Sequence, residues 1–273
     1  MKVINLIKEK TKLFFCFFLL VIIIYSSYSL FNAEKNIHTV EETVMKTPVT
    51  INKLKKIDGS LVFIAHGYAG SSSFMRPIAI AIAQTGYTAI RFDFLGHGKH
   101  KLPYYSDLIS SNKTTEYFVN QTNSIIDYYL KKYNKKSAII IGHSMASDIV
   151  VRVATKRNDI DGVIGISTYT NAVTKNKPNN LLIINGEFEY NLREKSLNIL
   201  QNIGIHKAQE NILYGSFVKE NARKILSIKH SDHIRILYSK NTQKEVMNWI
   251  GSIDDKDLDP ITNQLGLYSA LLL

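Results

Sequence analysis

Ser137-Ala138-Ile139-Ile140-Ile141-Gly142-His143-Ser144-Met145-Ala146 runs an apolar strand into a serine that has a small residue two positions to either side. That spacing predicts a nucleophile elbow, a strand-to-helix turn so sharp that it forces the serine backbone toward positive φ. Crowding at such a turn admits only small neighbours, and Gly142 and Ala146 both qualify. The helix behind it, from Met145 to about Arg157, would aim unpaired N–H groups and a positive dipole end at the hydroxyl. Negative charge developing there would be stabilised. Taken alone, the pattern also fits a serine that caps a helix after a buried strand.

The chain has 273 residues and 45% hydrophobic content, enough for one large core. Nothing in it reads as a domain linker, an internal repeat or a low-complexity tract. The N-terminus differs in kind. Leu13 to Ile24 is unbroken apolar sequence, and Tyr25 to Phe31 extends it without a charge, long enough to cross a bilayer. Lys2, Lys8, Lys10 and Lys12 precede it against Glu9 alone, which places the short N-terminus in the cytoplasm and the domain outside. A cleaved signal peptide, with Ser27-Tyr28-Ser29 as a small-x-small site, is the alternative. The length of the apolar stretch favours an uncleaved anchor.

Cys16, the single cysteine, lies in that span, so the exported domain can form no disulfide and depends on packing alone. Leu13, Phe14 and Phe15 are too bulky for a lipoprotein processing signal. The net charge of +11 suits anionic headgroups or wall polymers, although the lysines are dispersed as in any solubilising coat. No interleaving of basic and aromatic residues suggests a nucleic-acid face. The chain thus divides into a cytoplasmic N-terminus (1–12), a transmembrane anchor (13–31), a juxtamembrane segment (32–46), an α/β domain (47–252) and a C-terminal tail (253–273). Leu265 to Leu273 in the tail is unusually apolar.

Val40 to Lys55 alternates apolar and polar residues around Pro48 and reads as one or two edge strands. Leu61 to Ala65, Tyr87 to Phe94, Gly162 to Ser167, Asn180 to Asn185 and Arg223 to Lys229 read as further strands. Helical stretches are Phe74 to Gln84, Thr114 to Tyr133, Leu192 to Ile203 and Thr242 to Ile250. Strand and helix alternate, which predicts a mostly parallel sheet covered on both faces. Thr168 to Pro178 is too short for a large lid.

A serine hydroxyl needs a base to take its proton, and the base needs a carboxylate to fix its tautomer. In an open parallel sheet, groups at the carboxyl ends of strands converge on one crevice. The acid candidates are Glu187 and Glu189, after Gly186. Glu189 is preferred because it has room to reach back over the sheet. The base candidates are His230 and His233, and His233 is preferred for its place nearer the closing helix. A metal site from His230, Asp232 and His233 lacks further ligands elsewhere in the sequence. Two backbone donors are needed for an oxyanion, and the Met145 N–H and the Tyr68 N–H are nominated. His66, His97 and His143 read as structural hydrogen-bonders.

These motifs agree in order with the α/β-hydrolase superfamily: His66-Gly67-Tyr68-Ala69-Gly70-Ser71, Asp93-Phe94-Leu95-Gly96-His97-Gly98, Gly142-His143-Ser144-Met145-Ala146, Gly186-Glu187-Phe188-Glu189 and Asp232-His233. Over roughly Thr47 to Ile250 the chain resembles its monoacylglycerol-lipase and dienelactone-hydrolase branches. The resemblance implies an α/β-hydrolase fold with little or no lid, Ser144 as nucleophile, Glu189 as acid and His233 as base. Two departures stand out: Ala146 replaces the commoner glycine, and Glu189 stands where aspartate is usual. The function expected is a membrane-anchored serine hydrolase that cleaves a lipid-like or small acyl ester or thioester, without cofactor or metal. A hydrolase-like binding domain and an acyltransferase using the same triad are the alternatives.

Overall fold

The computed structural model describes residues 2–55, 59–103 and 111–258. Helix α1 (Lys2–Glu34) leads into a hairpin of β1 (Ile37–Val44) and β2 (Thr47–Leu54). There follow β3 (Leu61–Ala65), α2 (Arg76–Gln84), β4 (Thr88–Phe92), α3 (Ser111–Lys132), β5 (Ala138–His143), α4 (Met145–Lys156) and β6 (Ile160–Ile166). The chain continues through β7 (Leu181–Gly186), α5 (Tyr190–Asn202), β8 (Leu213–Tyr214), β9 (Arg223–Ile228) and α6 (Lys240–Asp254).

The strands form one sheet in the order β1-β2-β4-β3-β5-β6-β7-β9-β8. Pairing is parallel from β4 through β9 and antiparallel at the β1–β2, β2–β4 and β8–β9 contacts. The two-residue edge strand β8 has no periodicity for a sequence reading to find. The sheet also begins at Ile37, inside the segment read as juxtamembrane, because β1 pairs with β2 along its whole length.

Period two in the central strands sorts the core into two layers. Leu61, Phe63 and Ala65 of β3 join Ile140 of β5 and Val150 and Val153 of α4 on one face. Val62 and Ile64 join Ile139, Ile141, Ile78, Met247 and Trp249 on the other, against α2 and α6. With both faces covered, every residue of β3, β4 and β5 is buried.

Lys8–Glu34 of α1 is long and apolar enough to cross a membrane, with a mean hydropathy of 2.3. The apolar tail at 265–273 lies outside the described residues.

Candidate active site

Ser144 stands between β5 and α4 at φ 54° and ψ −119°, a strained conformation for a residue with a Cβ. The turn requires a glycine at 142, because a Cβ there would lie 2.4 Å from the Ala146 carbonyl oxygen. The Ser144 N–H donates to Ile166 O at 2.9 Å, tying the elbow to β6.

The loop after β9 brings His233 Nε2 to 2.8 Å from Ser144 Oγ, and the loop after β7 brings Glu189 Oε1 to 2.5 Å from His233 Nδ1. A carboxylate only accepts, so Nδ1 carries the hydrogen and Nε2 faces the serine hydroxyl with its lone pair. The hydrogen bond to Glu189 raises the His233 pKa, against partial burial. Burial pushes the Glu189 carboxyl up, but hydrogen bonds from His233, the Gly186 N–H and Ser167 outweigh it and leave the group below the usual range. The Gly186 N–H lies 2.6 Å and Ser167 Oγ 2.8 Å from Glu189 Oε2.

Glu187 and His230, the other candidates, pair with each other instead. Glu187 Oε2 accepts the His230 N–H at 2.7 Å and lies 3.8 Å from His230 Nδ1, on a side chain that is 81% exposed. Asp232 accepts the N–H groups of Ile234 and Arg235 at 2.9 and 2.8 Å and so begins the next turn. Among the described residues no group of three His, Cys, Asp or Glu side chains is placed to hold a metal ion.

Ser167, to which the sequence reading assigned no part, emerges here, and His143 takes the structural hydrogen-bonding role expected of it. Ser167, at φ 52° on the end of β6, holds the carboxylate. Buried His143 donates from Nε2 to His233 O at 2.9 Å, fastening the backbone of the histidine loop, and burial pushes its pKa down to about 4. Only the strand-end position of Ser167 hinted at its part.

The Met145 N–H opens α4, among the N-terminal donors that find no partner within a helix. The turn at 66–68 abuts the serine: a Cβ on Gly67 would lie 3.0 Å from Ser144 Cβ and 3.0 Å from His143 Nδ1. Tyr68 is the next residue in the chain after this contact. His66 braces the turn, donating from Nδ1 to Gly67 O at 2.8 Å and accepting the Phe94 N–H at Nε2 at 3.1 Å. His97 Nδ1 donates to Leu95 O at 2.9 Å. Asp93 binds the neighbouring loops by accepting the Ser72 and Lys99 N–H groups at 2.6 and 2.8 Å, under a Gly98 whose Cβ would strike its carboxyl.

Ser144 and His233 open into a cleft of about 380 Å³ walled by Phe118, Met145, Ile149, Tyr169 and Leu192, with Asp148 and Ser167 as polar members. Asp148 accepts from Thr170 and Arg152, both at 2.7 Å, pinning the loop after β6 to α4. Residues 167–180 of that connection contain no helix or strand.

The model of the hydrolase family described as serine aminopeptidase, S33, matches residues 58–228, which take in the elbow and the acid loop. The chain belongs to that family. It is 31% identical over 107 residues to a thermostable monoacylglycerol lipase from Bacillus sp. (strain H-257), covering 39% of each protein. It is 26% identical over 123 residues to 2-(acetamidomethylene)succinate hydrolase from Mesorhizobium japonicum, covering 45% of this chain and 40% of that one. The chain thus matches about two fifths of the length of these curated relatives. An esterase from Pyrococcus furiosus shares the fold at a TM-score of 0.57 and 15% identity, over 78% of this chain and 91% of that one. A Thermus thermophilus protein does so at 0.59 and 13%, over 78% and 96%. The fold is that of an α/β hydrolase.

Proposed function

We propose that the chain is a membrane-anchored serine hydrolase that cleaves carboxylic esters through an acyl-serine intermediate, with its domain outside the cytoplasm. The observation that carries this reading is the unbroken hydrogen-bonded run from Glu189 through His233 to Ser144 at the foot of a cleft. His233 takes the hydroxyl proton as Ser144 attacks the ester carbonyl, and Glu189 steadies the imidazolium that forms. The Met145 and Tyr68 N–H groups receive the oxyanion. His233 returns the proton to the departing alkoxide, then activates the water that frees the acid.

The apolar wall of the cleft and its modest volume suit an acyl group of short or medium length. The relationship to a monoacylglycerol lipase favours ester over amide substrates. The anchor reading is supported by the apolar helix Lys8–Glu34 and by the lysines that precede its core.

The test is a panel of p-nitrophenyl esters and one thioester, assayed with the full chain in detergent. Turnover is expected with short acyl chains, reduced by roughly 10³-fold or more in Ser144→Ala and His233→Ala. A folded parent that turns over none of them would leave the binding-domain reading in its place.

A further inference from the structure

Strand register determines which end of the sheet meets the membrane helix. Because β1 is antiparallel to β2, and β2 to β4, β1 runs in the direction of the parallel strands. Its first residue, Ile37, pairs with Leu54, past the Asn52–Ala89 pair near the start of β4. Glu42, by contrast, is level with Val49, Phe92, Ala65 and Gly142. Helix α1 therefore joins at the amino edge of the parallel strands. Ser144, Glu189 and His233 all lie in loops at the carboxyl edge. At about 3.3 Å per residue, the steps from Ile37 to Glu42 and from Gly142 to Ser144 separate the two by roughly 20 Å along the strands.

The join is also short and fastened. Only Lys35 and Asn36 lie between α1 and β1. Gln84 Nε2 of α2 donates to Ala33 O at 2.7 Å, and Arg76 pairs with Glu34 at 2.6 Å. Exposed Lys35, Lys55 and Lys136 lie at this same amino edge, beside Ile37, past Leu54 and ahead of Ala138. Asp159, Asp161, Glu220 and Asp254 share that edge, so its charge is mixed.

We infer that the cleft opens away from the bilayer that holds α1, so that the enzyme takes esters presented from the aqueous side and spares the lipids of its own membrane. This rests on α1 as a retained anchor and on the Ser144 chemistry proposed above. A lipid ester would have to rise about 20 Å out of the bilayer to reach the serine.

The test places single thiols for a fluorophore at exposed positions in a Cys16→Ser background, His38→Cys at the amino edge and Lys229→Cys at the carboxyl edge. The full chain is reconstituted in phosphatidylglycerol-containing vesicles that carry acceptor-labelled lipid. Energy transfer is expected to be markedly stronger from position 38, and equal or reversed transfer overturns the inference. In the same vesicles, a water-soluble short-chain ester should be turned over at least about tenfold faster than an embedded fluorogenic monoacylglycerol. A flexible Gly-Ser insertion between Lys35 and Asn36 should narrow that ratio. An embedded ester cleaved as fast as the soluble one overturns the inference. Energy transfer needs no catalysis, so an inactive protein with the expected transfer upholds the orientation and removes only the hydrolase reading. A chain that does not float with the vesicles removes the anchor and the orientation together.

Discussion

At Glu189 burial and hydrogen bonding oppose each other, and hydrogen bonding prevails, so the carboxylate stays charged against His233. His233 acts as a base only when neutral, and its pKa lies above the ordinary 6.5. The ester kcat/KM should therefore rise with pH through an inflection above 6.5. In Glu189→Gln the inflection should move to lower pH, and kcat should fall by about 10² to 10⁴, because an amide no longer holds the productive tautomer. Glu187→Gln should change kcat by less than about twofold, as expected of a surface pair away from the serine. A pH–rate profile of the three proteins checks both.

His143 gives a second pH effect, on stability. Its folded pKa of about 4 lies below the ordinary 6.5, so the unfolded chain binds the extra proton first. The stability involved is present above pH 6.5 and is lost as pH falls toward 4, on the order of 3 kcal/mol in all. His66 behaves alike. Denaturant titrations at pH 7.5 and 5, followed at buried Trp249, the single tryptophan, should show a smaller pH effect in His143→Gln. An unchanged pH effect would mean that His143 is protonated in the folded state.

The residue types at the site were legible because strand ends converge, and Gly186 singled out Glu189 by making the turn before it. The hold that Ser167 has on the carboxylate was not. It is a contact between the ends of two neighbouring strands, β6 and β7, and depends on a sheet order that no local pattern records.

Among the elements, the elbow was the most legible, since its steric demand is local. Gly142→Ala would drive a Cβ to 2.4 Å from the Ala146 carbonyl, a contact that must shift α4 or the serine. We predict lower stability by about 1–3 kcal/mol and a larger loss of activity, measured by thermal unfolding alongside ester turnover. Ala146→Gly should keep the activity. The long helices were readable from periodicity, and the buried strands from their unbroken apolar runs. The hairpin was less so: Pro48 interrupts the pattern, yet it sits in β2 opposite Thr43, and its carbonyl accepts the Asp93 N–H at 3.0 Å. β8 was illegible because two residues show no period.

For the whole molecule, two cores covering both faces of the sheet must supply the stability, because a chain whose single cysteine is Cys16 can form no internal disulfide. Reducing agents should therefore leave the unfolding temperature unchanged, and a shift would reveal an intermolecular bridge through Cys16. The anchor reading predicts that alkaline carbonate leaves the full chain in the membrane pellet while detergent releases it. Release by carbonate would contradict an integral span. The continuity of α1 with the sheet escaped the sequence because the change from helix to strand occupies only Lys35 and Asn36, without a glycine or proline to mark it.

Activation of Ser144 by His233 underlies every chemical step proposed above. It is tested most directly by labelling the full chain with a fluorophosphonate probe and mapping the adduct by mass spectrometry, beside Ser144→Ala and His233→Ala variants whose folding is confirmed at Trp249. One adduct per chain is expected, on Ser144, and none in either variant. A folded parent that takes no label, or a Ser144→Ala protein that still does, would contradict it.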